Sequence, residues 1–83
     1  MITVLFFAGL REAVGTSSET LSLPSGVTTV AALRDHLAAR GDKWIALASA
    51  KNLRAAVNQD MVSLSAAIKD GDEIAFFPPV TGG

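Results

Sequence analysis

The sequence predicts an α+β fold in which a mixed sheet of about four to five strands is covered by one main helix. Two apolar segments near the ends of the 83-residue chain, ITVLFFA at 2–8 and EIAFF at 73–77, have the composition of strands from the middle of a sheet. Only VTTVAALRDHLAARG, residues 27–41, has the length and periodicity of a full helix. We therefore expect the two apolar strands to pair in parallel, with the helix on one face.

The first strand is predicted over residues 2–8, covered on both faces because its side chains are continuously apolar. GLREAVG, between Gly9 and Gly15, has room for one helical turn. A second strand follows at about 19–23, where Leu21 and Leu23 alternate with polar residues and indicate one buried face.

The main helix is predicted to begin at Thr28 or Thr29, since either hydroxyl can cap the first free amides. Its buried stripe should consist of Val30, Leu33 and Leu37. Gly41 is expected to end the helix in the left-handed conformation. The stretch after it, DKWIALASAKN, fits either a short helix or an irregular loop plugged into the core.

Two short β runs flank Asn58, Gln59 and Asp60, a sequence typical of a hairpin turn. A tight turn at Gly71 then leads into the final strand, 73–77. One helix cannot cover both faces of a sheet whose two central strands are apolar throughout. Either residues 44–50 cover the second face, or a partner protein does.

Composition limits the function. The hydrophobic fraction of 49% and charged fraction of 18% are those of a folded domain. With no cysteine and one histidine, the usual metal clusters and catalytic thiols are missing, so no metal site is expected. A net charge of −1 without a basic stripe argues against nucleic acid as a partner. Since the N-terminal apolar run is too short to span a bilayer and has no signal-peptide pattern, we expect a cytoplasmic protein without membrane contact.

Side-chain catalysis finds little support. Asp70, Asp72 and Glu73 cluster beside Gly71, where acidic residues usually form a solvated turn. The serines have no histidine at a defined spacing, and His36 belongs to the end of the main helix, where the helix dipole favours it. No conventional active site emerges from these residues.

The C-terminal sequence FFPPVTGG is different. Pro78 and Pro79 have no amide hydrogen and fix φ, so they should end sheet pairing and hold the chain extended. We expect a domain over 1–77 and an extended functional tail over 78–83 that reaches up to roughly 20 Å. Gly82 and Gly83 lack Cβ atoms and can pass through a slot too narrow for other residues.

The reactive group of such a tail is the α-carboxylate, a poor electrophile that a partner must activate. Formation of an acyl-adenylate with ATP, followed by attack of a thiolate or persulfide, would leave sulfur on the terminus as a thiocarboxylate. No cysteine in the chain competes for the activated acyl group.

The sequence resembles the small, sulfur-carrier subunits of molybdopterin synthase, the molybdopterin-converting factor subunit 1 family. The resemblance covers essentially the whole chain through four segments: VLFFAGLREAVG, RGDKWIALA, AAVNQDMVSL and DGDEIAFFPPVTGG. A terminal Gly-Gly occurs in many ubiquitin-like proteins, whereas FFPPVTGG is much more specific. The resemblance implies a ubiquitin-like β-grasp fold, which the predicted order of strands and helix also indicates.

The resemblance further implies a function. An E1-like enzyme would consume ATP to adenylate Gly83, and a sulfur donor protein would supply the thiocarboxylate sulfur. The tail would then enter the large synthase subunit, in an expected heterotetramer, and donate sulfur to cyclic pyranopterin monophosphate. The chain would be the sulfur-donating subunit of a heteromeric sulfurtransferase, with no bound cofactor and no catalytic side chains of its own.

Roles for the tail residues follow from the same resemblance. Gly83 would carry the sulfur and Gly82 would form the slim neck, while Thr81 and Val80 would supply backbone hydrogen bonds and a side-chain anchor. The partner interface is expected at Phe77, Pro78 and Pro79.

Two other functions remain open on the sequence. A thiamine-type sulfur carrier would use the same chemistry in another pathway. A non-catalytic ubiquitin-like binding or conjugated module would keep its carboxylate or end in an amide to a lysine.

Overall fold

The computed structural model describes residues 1–79 and contains one five-stranded mixed sheet. The strands are β1 Ile2–Phe6, β2 Ser18–Leu21, β3 Arg54–Val57, β4 Asp60–Val62 and β5 Glu73–Phe77, in the spatial order β2-β1-β5-β3-β4. The helices are α1 Ala8–Val14, α2 Val30–Ala38 and α3 Ile45–Ser49, with a 3₁₀ turn at Asp42–Trp44. The predicted α+β class and strand number are confirmed.

The two apolar strands pair in parallel at the centre of the sheet, as predicted. The register joins Val4 to Ile74 and Phe6 to Phe76. β5 also pairs antiparallel with β3, which places Arg54 opposite Phe77. Because β5 has a hydrogen-bonded strand on each side, its position is fixed more firmly than that of any edge strand.

The core lies between one face of the sheet and the helices. Alternate residues of β1 and β5 face it, and Phe6 and Phe76 stack there with ring centroids 6.4 Å apart. Helix α2 contributes its predicted stripe, fully buried: Val30, Leu33 and Leu37. The remaining large buried side chains come from the other helices, from β1 and β5 and from loops: Ile2, Val4, Leu10, Val14, Val27, Leu47, Leu53, Ile68 and Ile74. We call this the helix face of the sheet.

The predicted start of α2 is confirmed and its predicted end is wrong. The hydroxyl of Thr29 accepts a hydrogen bond from the amide of Ala32 at 3.1 Å, as an N-cap does. The helix stops at Ala38, and Ala39 keeps right-handed dihedrals. Gly41 has a positive φ of 77° but a ψ of −171°, so it opens the 3₁₀ turn instead of forming a left-handed cap. The i→i−3 bonds from Arg40 and Gly41 tighten the chain before glycine is reached.

Residues 42–50, left open between helix and loop, form the 3₁₀ turn and α3. Leu47 is fully buried in the core, and Trp44 meets Phe6 edge-on with centroids 5.6 Å apart. The guanidinium of Arg40 lies 4.6 Å from the Trp44 ring centroid and also donates to the Glu19 carboxylate at 2.8 Å. The segment therefore packs on the helix face, and of the two alternatives for the second face, cover by residues 44–50 is wrong.

The expectation that β1 is covered on both faces is also wrong. Its buried residues alternate with the half-buried Thr3 and Leu5, because within residues 1–79 every helix lies on the same side. Three boundaries differ as well. The first strand, predicted over residues 2–8, ends at Phe6, because α1 begins at Ala8. The single turn expected between Gly9 and Gly15 is the seven-residue α1, and the second strand ends at Leu21 instead of Leu23.

Strand β5 ends at Phe77, and the described chain stops two residues later. The division into a domain over 1–77 and a functional tail over 78–83 stays a prediction, since Val80 to Gly83 lie outside the described residues. In the part of the chain that is described, none of the helices has the length and apolarity to cross a bilayer.

Candidate functional site

The predicted site residues divide into two groups. Phe77 is the last residue of β5, and Pro78 and Pro79 follow it, all three half-buried. Val80, Thr81, Gly82 and Gly83, to which tail insertion and sulfur transfer are assigned, lie outside the described residues. The structure describes only the residues that lead into the predicted tail, and we call Phe77 to Pro79 the tail root.

The tail root is anchored by the sheet on both sides. On one side the amide of Phe7 donates to the carbonyl of Phe76 at 3.2 Å, and on the other Arg54 pairs with Phe77. Pro78 and Pro79 cannot donate the next ladder bonds, so pairing stops there. A tail that starts at this point leaves from a rigid central strand, which fixes the direction of its first residues.

The face of the sheet opposite the helices, which we call the open face, carries an apolar row across four strands. The register aligns Leu5 with Ala75, Ala75 with Ala56, and Ala56 with Met61. Met61 is 63% exposed, while the two alanines between the larger side chains are buried. The helices pack on the opposite face, so the exposed Met61 and the half-buried Leu5 leave apolar surface at the two ends of this row accessible to another molecule.

An aromatic pair connects this row to the tail root. Phe7 keeps extended dihedrals (φ −123°, ψ 157°) beyond the end of β1, so it points opposite to the buried Phe6. The parallel register ends at Phe6 and Phe76, so Phe7 and Phe77, one residue further along each chain, lie at the same end of the sheet. Phe7 is 46% exposed and Phe77 half-buried, which makes this end of the open face the most aromatic part of the surface described here.

A shallow pocket of about 380 Å³ adjoins the tail root. It is lined by Asn52, Leu53, Arg54 and Pro79. Asn52 has a positive φ of 56° in the turn that leads into β3, and Arg54 is exposed. The pocket thus combines a cationic side chain with the last described residue of the chain.

The acidic cluster at the other end of β5 has a structural role. Asp72 is only 5% exposed, and its carboxylate accepts hydrogen bonds from Asn58 Nδ2 at 3.0 Å, the Lys69 amide at 2.9 Å and Lys69 Nζ at 3.2 Å. The hydrogen bond from Asn58, aided by those from Lys69, holds the pKa of Asp72 below its usual value. The expected solvated turn is therefore wrong for Asp72, which fastens the β3–β4 hairpin to the start of β5.

The same contacts explain the hairpin sequence. Asn58 Oδ1 accepts the amide hydrogen of Glu73 at 3.0 Å, and both Asn58 and Gln59 have positive φ. Positive φ at both central residues is the geometry of a two-residue type I′ hairpin turn, which asparagine tolerates well. The predicted hairpin is confirmed, and its asparagine also positions β5.

The described residues offer little for side-chain catalysis. Within 1–79, no three or more His, Asp or Glu side chains lie close enough together to hold a metal ion. His36 is exposed on α2, and the tail root contains only aromatic and proline side chains. The described residues instead provide an apolar surface and, beside it, the end of a central strand at which Pro78 and Pro79 leave the sheet.

Sequence reasoning missed Leu5, Met61 and Arg54 as candidates for this site. Met61 and Leu5 are far apart in sequence, and only the register places both on the open face. A signal for Arg54 was present, because residues 43–59 carry cationic side chains and no carboxylate. Only the pairing of β3 with β5 shows that Arg54 lies beside the tail root.

Comparison with known proteins agrees with this geometry. The model of the ThiS family matches residues 4–83. The chain is 52% identical to a molybdopterin synthase sulfur carrier subunit of Escherichia coli and 48% identical to one of Haemophilus influenzae, each over 83 residues that cover all of both chains. Among solved structures, SAMP1 of Haloferax volcanii superposes with a TM-score of 0.75 at 28% identity, covering 99% of this chain and 98% of that one.

These findings confirm the β-grasp fold, because SAMP1 has the same architecture along nearly its whole length. The family model and the full-length relatives together decide the identity: the chain belongs to the ThiS family, among its molybdopterin synthase sulfur carrier subunits.

Proposed function

We propose that this chain carries sulfur for molybdenum cofactor biosynthesis as a thiocarboxylate on Gly83. The observation that carries the proposal is the full-length match to sulfur carrier subunits, combined with a tail root fixed at the centre of the sheet beside an open apolar face. The names of those relatives supply the pathway. The geometry described above supplies the means of presenting a terminus.

Loading requires two steps at the Gly83 carboxylate. A carboxylate oxygen attacks the α-phosphorus of ATP and pyrophosphate leaves, which gives an acyl-adenylate on an E1-like enzyme. A hydrosulfide or the terminal sulfur of a donor protein's persulfide then attacks the acyl carbon and AMP leaves. When the attacking group is a persulfide, a thiol of the donor releases the thiocarboxylate by forming a disulfide. The chain itself contributes no catalytic side chain and binds no cofactor in this scheme.

Delivery uses the tail and the open face together. The four residues after Pro79 reach roughly 14 Å when extended, enough to enter a narrow pocket in the large synthase subunit. Gly82 and Gly83 allow close passage because they lack Cβ atoms. Leu5, Met61 and the Phe7–Phe77 pair would be covered by that subunit, which explains why they are left open to solvent here.

In the complete enzyme, the large subunit would hold cyclic pyranopterin monophosphate and provide the catalytic side chains. Two dithiolene sulfurs are needed for each molybdopterin, so two loaded carriers are consumed, in keeping with a heterotetramer. The carrier is then both a subunit and a cosubstrate of the sulfurtransferase. The E1-like enzyme, the sulfur donor and the cytoplasmic location stay predictions.

Intact-mass spectrometry tests the proposal directly. The chain is incubated with ATP, its cognate E1-like enzyme and a sulfur donor, and the mass should rise by the difference between sulfur and oxygen. A Gly83 deletion should show no gain, and Gly83→Ala should fold normally yet load or transfer poorly, because its methyl group would not fit a slot that only glycine can enter. An unchanged mass with a demonstrably active enzyme would contradict the proposal.

A second candidate is a conjugated modifier, favoured by the overall similarity to SAMP1, a small archaeal modifier protein. In that case the activated Gly83 would be attacked by a lysine amine, and the chain would be recovered on other proteins through isopeptide bonds.

A thiamine-type carrier would be loaded with sulfur by the same two steps as a molybdopterin carrier. Genetic rescue separates the two pathways, since we expect the chain to restore molybdopterin synthesis and not thiamine synthesis.

A further inference from the structure

Charge is segregated along the second half of the chain. Residues 43–59 contain three cationic side chains, Lys43, Lys51 and Arg54, and no carboxylate. Residues 60–79 contain four carboxylates against one cation, Lys69. The whole chain is nearly neutral, at −1, so this separation is invisible in the net charge.

Because of the strand pairing, this charge pattern in the sequence becomes a difference in charge between the two ends of the sheet. β3 runs antiparallel to β5, which places Arg54 opposite Phe77 at the tail root. Glu73, at the start of β5, lies about 13 Å away along the strand and is hydrogen-bonded to Asn58. The carboxylates of residues 60–73 therefore gather at the end of the sheet remote from the tail, while Arg54 stands beside it.

Arg54 differs from the arginines whose charge is satisfied internally. Arg40 pairs with Glu19 and Arg34 with Asp35, whereas among residues 1–79 no carboxylate lies within ion-pair distance of Arg54. Its side chain is exposed and lines the pocket that Pro79 completes. The pocket and the tail root share Pro79, so a protein that holds the tail would lie close to this pocket.

The other charges near this end do not offset Arg54. Lys51, in the turn before β3, is exposed and adds to it. Helix α1 begins where β1 ends and carries one charge of each sign, Arg11 and Glu12. The local balance beside the tail root therefore stays positive.

We propose that the pocket at the tail root binds carboxylate side chains on the rim of the partner's tail-binding groove, with Arg54 as the main contact. The proposal rests on the proposed function, since it specifies the surface that the large synthase subunit presents there. Charge complementarity commits the occupant to an acidic protein surface. A guanidinium suits this role because its fork of donors matches a carboxylate in two-point geometry.

The expected effect concerns the rate of association more than its final strength. An exposed ion pair adds little affinity, but a charge placed beside a docking site attracts and orients an oppositely charged partner before contact. With the carboxylates at the remote end, the chain would approach an acidic groove with its tail end first. Docking should accordingly be fastest at low salt.

Stopped-flow measurement of the association rate constant with the cognate large subunit, over a range of NaCl concentrations, tests this inference. Arg54→Glu should associate about tenfold more slowly than wild type at low salt. The difference should shrink to about twofold near 1 M salt, where the Debye length is about 3 Å. The association rate constant of Arg54→Gln should lie between those of wild type and Arg54→Glu. Arg34→Glu, which makes the same change in net charge on α2, is the control and should slow association clearly less than Arg54→Glu does.

Unchanged or faster association of Arg54→Glu at low salt, with its melting temperature equal to that of wild type, would overturn the inference. Equal slowing by Arg54→Glu and Arg34→Glu would also overturn it, because the effect would then follow net charge and not position. Failure of the proposed function would be distinguishable: wild type would not bind the subunit at any salt concentration, and the loading assay would show no mass gain.

Discussion

Phe76 and Phe77 are neighbours of identical chemistry on opposite faces of the sheet, and replacing each by alanine should separate folding from partner binding. Phe76 is fully buried on the helix face, where it stacks on Phe6. Phe77 is half-buried on the open face at the tail root. We expect Phe76→Ala to lose stability and Phe77→Ala to lose affinity for the large subunit.

The magnitudes follow from these positions. Truncation of a fully buried phenylalanine costs about 3–5 kcal/mol, including the cavity that remains. The total free energy of unfolding of an 83-residue domain is about 4–12 kcal/mol, so Phe76→Ala should remove about a quarter of it or more. Phe77 has one side in solvent, so its truncation to alanine should lower the free energy of unfolding by only about 1 kcal/mol. As an aromatic at the centre of a proposed interface, it should instead contribute about 2 kcal/mol to binding, roughly a thirtyfold change in Kd.

Urea denaturation monitored by circular dichroism gives the stabilities, and calorimetric titration with the large subunit gives the affinities. Phe7→Ala, also on the open face, should behave like Phe77→Ala and serves as its companion. A large stability loss for Phe77→Ala with little for Phe76→Ala would refute the assignment of faces. Unchanged affinity for both Phe77→Ala and Phe7→Ala would refute the open face as the docking surface.

Two further predictions concern the fold. Thr29→Ala removes the hydroxyl that caps α2 and should cost about 1 kcal/mol in urea denaturation, while Thr29→Ser should retain most of the stability; equal losses would contradict the capping role. The pKa of Asp72 is held below its ordinary value of 3.8, chiefly by the hydrogen bond from Asn58, so its contribution is complete above 3.8 and is lost as the pH falls through the lower folded value. The melting temperature should therefore fall when the pH is lowered below about 4. Asp72→Asn should have a lower melting temperature at neutral pH, and that temperature should depend less steeply on pH in the acid range. If the pH dependence of this variant equals that of wild type, the effect belongs to other carboxylates.

Local patterns in the sequence were sufficient for several elements. The Thr29 cap, the stripe of Val30, Leu33 and Leu37, and the hairpin at Asn58 each depend on residues within a few positions of one another. The parallel pairing of the end strands also followed, because two apolar strands and one helix leave few compact arrangements. The family was recognisable from contiguous segments, of which FFPPVTGG is the most specific.

Face assignments in the central strands could not be obtained in the same way. When successive residues such as Leu5, Phe6 and Phe7 are all apolar, the pattern has no period that distinguishes one face from the other. Only the packing of α2 and α3 against the sheet decides that Phe6 and Phe76 are inside. The same packing left the second face open, against the expectation that residues 44–50 could cover it.

The sequence by itself therefore determined the family and the order of strands and helices, because both are written in contiguous residues. The tertiary structure decided what surrounds the tail root. It brought Leu5, Ala75, Ala56 and Met61 into one apolar row, buried Asp72 beneath the hairpin, and set Arg54 beside the tail root. These groupings depend on strand register, a relation between residues far apart in the chain that no local pattern contains.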